Sequence, residues 1–240
     1  MRKPFVAFAV IASLLIGAGA ASAQTLDEVI AKYRKAKGGD VWKKIDSTRM
    51  TARIVTQGIE LPMTMVTKRP NLMRQDMSFQ GVSIVQAFDG TTAWGINPMT
   101  GSSDPSEVTG PMADSLKDQA DFDGALFDYK AKGSTAELVG TEDLNGTKVV
   151  HLKLTNRNKQ VQHYYLDADT MLEKKVVVQA DMGAGPMTIE TELSNYQTFD
   201  GIPVPMSITQ NAPAGQVAIT VEKVEFNVDV DDSIFRMPGK

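Results

Sequence analysis

The chain has 240 residues, no cysteine, and 29 acidic against 25 basic side chains. Without a thiol it can form no disulfide, no thiol nucleophile, no cysteine metal site and no lipid anchor of the kind attached to a processed N-terminal cysteine. Its acidic balance repels rather than concentrates a nucleic acid or an anionic membrane surface, which argues against both as partners.

The N-terminus has the three parts of an export signal. Arg2 and Lys3 are basic, Phe5 to Ala18 is apolar, and Ala21-Ser22-Ala23 is a small-residue cleavage site. This predicts a signal peptide over residues 1–23 and a mature chain starting at Gln24. The apolar run is too short for a spanning helix and no second one follows, so the expected product is exported, soluble and free of a lipid anchor. Residues 24–240 carry 23 basic and 29 acidic side chains and fit one large all-β domain.

Thr25 to Lys37 reads as a helix, with Thr25 and Glu28 forming a capping box and Leu26, Val29, Ile30 and Tyr33 at helical spacing. Gly38-Gly39 ends it, and Asp40 is placed to cap a short further turn through Val41, Trp42 and Ile45. From Thr48 the period changes to two. Thr48 to Thr56 and Leu61 to Lys68 alternate across Gln57-Gly58 in the manner of an antiparallel meander. Pro70 breaks the second of these strands and forces Arg69 out of helical conformation. Ser83 to Phe88 and Thr91 to Ile96 then form a hairpin about Asp89-Gly90, stopped by Asn97-Pro98.

Met99 to Lys132 reads as a flap laid over that sheet. Ser102 to Gly110 is expected to be loop. Pro111 opens a helical stretch whose apolar stripe is Met112, Leu116, Ala120, Leu126 and Phe127, as one helix or as two joined near Asp123-Gly124. The second half is strands between Asn145-Gly146, Asn156 to Asn158 and Asp167 to Thr170, all of them turn chemistry. Met187, Ile189, Thr191 and Leu193 alternate with Thr188, Glu190, Glu192 and Ser194. Gly201, Pro203 and Pro205 suggest a corner, and the tail ends with Phe235 as an apolar anchor and Asp232 capping a last turn. The roughly dozen strands without parallel crossovers favour a single curved antiparallel sheet.

The chemistry of an enzyme is hard to find. The only two histidines, His151 and His163, stand in strands and read as solvent-facing, with no ligand partner at helical spacing. Ser83 follows Gly81, but Val85 occupies the place of the second glycine of a nucleophile elbow. Asp229, Asp231 and Asp232 lack the glycine and glutamate of a calcium loop. No catalytic group, metal or cofactor is therefore assigned. Trp42, Trp94, Tyr164 and Tyr165 read mainly as core and rim. Of the methionines, Met63, Met65, Met73, Met77, Met187 and Met206 fall in strands, where a soft thioether lining suits acyl chains and equally suits ordinary core filling.

Lys68-Arg69-Pro70-Asn71-Leu72, followed by Asp89-Gly90-Thr91-Thr92-Ala93-Trp94 and Asn97-Pro98, resembles the LolA family of periplasmic outer-membrane lipoprotein carriers. The close match covers about a sixth of the chain. The order of helix, meander, flap and meander extends it over the mature protein. The resemblance implies a mainly β fold, an unclosed and strongly curved antiparallel half-barrel with an N-terminal helix and a mid-chain helical lid. It also implies a periplasmic location and a non-catalytic role in carrying the acyl chains of a lipoprotein or lipid, taken from an inner-membrane donor and passed to a membrane-anchored acceptor. Arg69 matches the family arginine that bonds the lid backbone when the carrier is empty; read on its own it is a strand-end arginine in solvent. The expected cavity and lid residues are Arg69, Met63, Met65, Met73, Trp94, Met187, Leu116 and Phe127. Ala36 to Trp42, Gly140, Asn145-Gly146 and Tyr164 to Asp167 resemble instead a broader lipoprotein-sorting-like set whose cargo is undefined. A sensory or regulatory binding module on the same scaffold, and a hydrolase with scattered carboxylates, stand as rivals.

Overall fold

Alternation of apolar and polar side chains, cut by two-residue turns, builds most of this molecule. The structure is a computed structural model that describes residues 24–181 and 185–239; the expected signal peptide lies outside the described residues. Thirteen strands are described: β1 Ser47–Thr56, β2 Ile59–Lys68, β3 Leu72–Phe79, β4 Val82–Phe88, β5 Ala93–Asn97, β6 Ser102–Glu107, β7 Thr135–Leu144, β8 Thr147–Thr155, β9 Val161–Asp167, β10 Glu173–Asp181, β11 Pro186–Phe199, β12 Ile202–Ala212 and β13 Gly215–Phe226. They form one antiparallel sheet in the order β6-β5-β4-β3-β2-β1-β13-β12-β11-β10-β9-β8-β7. The sheet curls without closing, so β6 and β7 are its free edges, while the first and last strands meet in its middle. At the β1–β2 turn, Gln57 and Gly58 have φ of 50° and 78°, the left-handed pair that matches strand twist in a tight hairpin.

Three expectations about the strands and the flap are corrected first. Ser102–Glu107 is a strand, pairing Trp94 with Glu107 and Gly95 with Ser106. As an edge strand with no large apolar side chain it offers no alternation to read, and its unpaired side tolerates Pro105. The expected corner at Gly201 is a tight turn. Pro203 and Pro205 lie within β12 opposite Thr198 and Tyr196, where pairing with β13 has not yet begun at Ser207, so no ladder bond is lost. The flap holds one helix, and from Ala120 to Gly133 the chain runs as turns, with Gly124 at φ 79° outside any helix.

The helices are α1 (Leu26–Ala36), α2 (Gly39–Trp42) and α3 (Gly110–Gln119). Thr25 caps α1 as expected: its hydroxyl accepts the Glu28 N–H at 3.3 Å and its own N–H donates to Glu28 Oε2 at 2.9 Å. Asp40 does not cap α2; Gly38 holds that position, and Asp40 pairs with Lys43 in solvent. The tail ends in a 3₁₀ turn over Asp232–Phe235 capped by Asp231, not Asp232, which bonds Lys68 at 2.6 Å.

The sheet has two covered faces. The helices lie on the concave one. On the opposite face the tail lays the fully buried Phe235 against Val66 and brings Met237 beside Val85, Ala87 and Trp94.

Candidate functional site

Register fixes which side chains line the concave face. One row across the strands is Thr67, Met73, Phe88 and Ala93; the next is Met50, Met65, Gln75 and Gln86; the third is Ala52, Met63, Met77 and Ile84. In the first row α3 is seated directly on the sheet. Leu116 and Ala120, 1% and 0% exposed, pack on Met73, Phe88 and Ala93, with Met65, Val108 and Ala113 at the margin. Burying Leu116 contributes about 2 kcal/mol. The flap therefore fills the face beneath it rather than arching over a hollow, a correction to the cavity expected there. The third row is different. Ala52, Ile54 and Met63 cluster with Met50, Leu61, Met77, Val217 and Ile219, all from β1, β2, β3 and β13, and no helix residue belongs to the group.

At the far side, α1 packs Val29, Ile30 and Tyr33 on Val150, Leu152, Leu154, Tyr164 and Leu166 of β8 and β9, joined by Leu126 and Tyr129 from the flap. This seat also has a polar bond. Glu173 is buried, and its carboxylate accepts Tyr33 Oη at 2.6 Å and Lys37 Nζ at 3.2 Å. Burial disfavours its charge, but Lys37 and the Tyr33 hydroxyl outweigh that and hold its carboxyl below the usual range. Burial and the same carboxylate push the Tyr33 phenol well up.

Between these two seats lies Arg69, after β2, in a cis bond to Pro70. Its Nε donates to the Ile45 carbonyl at 2.7 Å, one terminal nitrogen to the Trp42 carbonyl at 3.3 Å, and the other to Asp123 Oδ2 at 2.7 Å. Asp123 Oδ1 accepts the Trp42 indole N–H at 2.9 Å. The neighbouring Phe122 ring stacks on Trp42 at 5.1 Å and lies 4.5 Å beneath the Arg69 guanidinium. One guanidinium thus ties α2 and the following turn to the Phe122-Asp123 dipeptide of the flap. Burial opposes ionisation of Asp123, but the Arg69 hydrogen bond and charge, with the Trp42 N–H, hold its carboxyl below the ordinary value.

The expected site residues separate. Met65, Met73 and Leu116 meet under α3; Met63 is buried among strand side chains in the third row; Met187 shares the face of Ile189 at the start of β11. Phe127 belongs to the α1 seat, edge-on to Tyr33 at 5.8 Å. Trp94 leaves the set: neighbouring strand residues face opposite ways, and with Ala93 under α3, Trp94 points to the tail, where its indole donates to the Phe235 carbonyl at 2.7 Å. The residues missed by sequence reasoning are Phe122 and Asp123, the latter 54 positions from Arg69 with no spacing to link them. The histidines are also corrected. His151 is buried, bonded to Glu142 at 2.5 Å and His163 at 2.8 Å, and stacked on Tyr165. Among the described residues no group of three or more ligands could hold a metal.

Solved structures share this architecture. A LolA superfamily protein from Nitrosomonas europaea aligns at TM-score 0.62 over 89% of this chain and 98% of its own, with 14% identity. The fold is LolA-like. A DUF1329 family protein from Desulfovibrio piger aligns at TM-score 0.60 over 87% and 97% with 15% identity, and a candidate outer membrane lipoprotein-sorting domain from Vibrio parahaemolyticus at 0.59 over 86% and 94% with 14% identity. No family model matches the chain, and no curated protein does. The LolA-like fold thus has thirteen described strands here, with α1 and the α3 flap seated on its concave face. Among the described residues no helix is long and apolar enough to cross a membrane.

Proposed function

We propose that residues 24–240 form a single-domain periplasmic carrier that holds the acyl chains of a lipoprotein or lipid on its concave face and passes them towards the outer membrane without chemistry. The observation that supports this reading is the concave face itself: methionine-rich, largely apolar in its first and third rows with Gln75 and Gln86 between them, and covered in the first row by α3 through Leu116, Ala120 and Ala113. Each methylene moved from water to such a face contributes about 0.8 kcal/mol, so a few chains suffice for a long-lived complex. Loading lifts Leu116 and Ala120 from Met73 and Phe88, and Arg69 is the latch that keeps the empty flap down. Release to a membrane-anchored acceptor, like capture from an inner-membrane donor, follows the difference in affinity between the two sites.

Native mass spectrometry of the protein recovered from the periplasm tests the reading. Bound lipid or lipoprotein is the expected result; a bound peptide points to a sensory module, and an empty molecule that refuses added lipid overturns the carrier. Arg69→Leu is expected to loosen the empty flap and increase cargo retention, read as slower transfer to acceptor vesicles. Unchanged transfer removes Arg69 from the role.

A further inference from the structure

The glutamines on the concave side are not alike. Gln162 accepts the Tyr164 hydroxyl at 2.6 Å and donates to Gln160, and Gln210 reaches the Thr191 hydroxyl at 3.5 Å. Gln75, only 9% exposed, has its amide nitrogen 3.3 Å from the Met77 sulfur, a weak acceptor. Gln86, directly opposite Gln75 on the next strand, is half-buried and bonds no other described residue through its side chain. Side chains so paired stand about 5 Å apart, close enough to serve one small group together.

Their surroundings are apolar. Met65 flanks Gln75 in the same row; Met73 and Phe88 lie in the row under α3, and the half-buried Met77 and Ile84 in the row that no helix residue packs on. The two amides therefore mark the boundary between the part of the face packed by α3 and the part packed by strand side chains alone. Neither amide has a fully buried atom left without a partner, so an acyl chain laid over them displaces water and costs free energy unless something bonds them in its place. An alkyl chain cannot.

We infer that Gln75 and Gln86 form a polar subsite for the carbonyl that joins an acyl chain to its head group, leaving the chain to run over the half-buried Met77 and Ile84 beside them. An ester carbonyl accepts the amide N–H of either glutamine, and an amide linkage in addition returns an N–H to a glutamine oxygen. This rests on the carrier reading and makes it selective: the site takes acyl compounds in preference to ether-linked chains of equal length.

The test compares three probes of one chain length, a monoacylglycerol, its alkyl-ether analogue and an N-acyl amide, by displacement of a fluorescent apolar dye. The intact protein is expected to bind the ester and the amide about tenfold more tightly than the ether. The double variant Gln75→Leu, Gln86→Leu should lose that preference while binding the ether at least as well, which also reports that the face is still folded. Gln86→Met alone should lose part of it. Equal affinity of the intact protein for all three, or a preference that survives in the double variant, overturns the subsite and leaves the carrier reading standing. Failure of all three to bind the intact protein overturns both.

Discussion

Asp123 is the residue on which the flap's polar attachment to Arg69 and Trp42 converges. Both its oxygens are used, one by Trp42 and one by Arg69, and among the described residues of the flap no other charged side chain pairs with the guanidinium. Because its carboxyl is held below the ordinary value in the folded state, its contribution is complete above the normal carboxylate range. It is lost as pH falls through the lowered value. Asp123→Asn should therefore cost about 1 kcal/mol at pH 7, discounted for partial exposure, and progressively less as the pH is taken below that range; thermal melts of both proteins from pH 7 to pH 2.5 read the convergence. A constant gap across the range would mean that the pair is not what holds the two proteins apart. Arg69 was legible because Lys68 to Leu72 is a distinctive string beside a strand break. Asp123 was not, since it sits in a Phe-Asp-Gly turn that resembles any other and finds its partner only through folding.

At the scale of elements, the two halves of the roof are fastened differently. α1 combines a capping box, an apolar stripe and a buried carboxylate that accepts from Tyr33 and Lys37. α3 has no side-chain cap and meets the sheet through Leu116, Ala120 and their neighbours. Tyr33→Phe should cost about 2 kcal/mol in urea unfolding, because a hydrogen bond to a buried charge is lost and the carboxylate keeps one fewer donor. Leu116→Ala should cost about 3 kcal/mol and raise hydrogen exchange across residues 97–133 while α1 keeps its protection. Protection lost equally from α1 would show that the roof moves as one piece. The capping box and stripe of α1 were readable because helix signals are local. β6 was not, since a short polar edge strand takes its conformation from β5 rather than from its own side chains.

For the whole molecule, the antiparallel sheet could be read from sequence because two-residue turns such as Gln57-Gly58 and Asn145-Gly146 leave no length for a parallel crossover. The junction of β1 with β13 could not: Thr56 meets Val217 across most of the chain, and no periodicity announces a contact of that span. That junction, with β6 and β7 at the free edges, makes the flap the sole covalent crossing from one rim of the open barrel to the other. Scission by a protease between Asp121 and Lys132 would leave two pieces, β1 to β6 with their helices and β7 to β13, still stitched by nine residue pairs along β1 and β13. The nicked protein should migrate as one particle in gel filtration and come apart only in denaturant. Expressed separately, the same halves should reassemble, which would make this scaffold a reporter whose reconstitution needs no continuous chain.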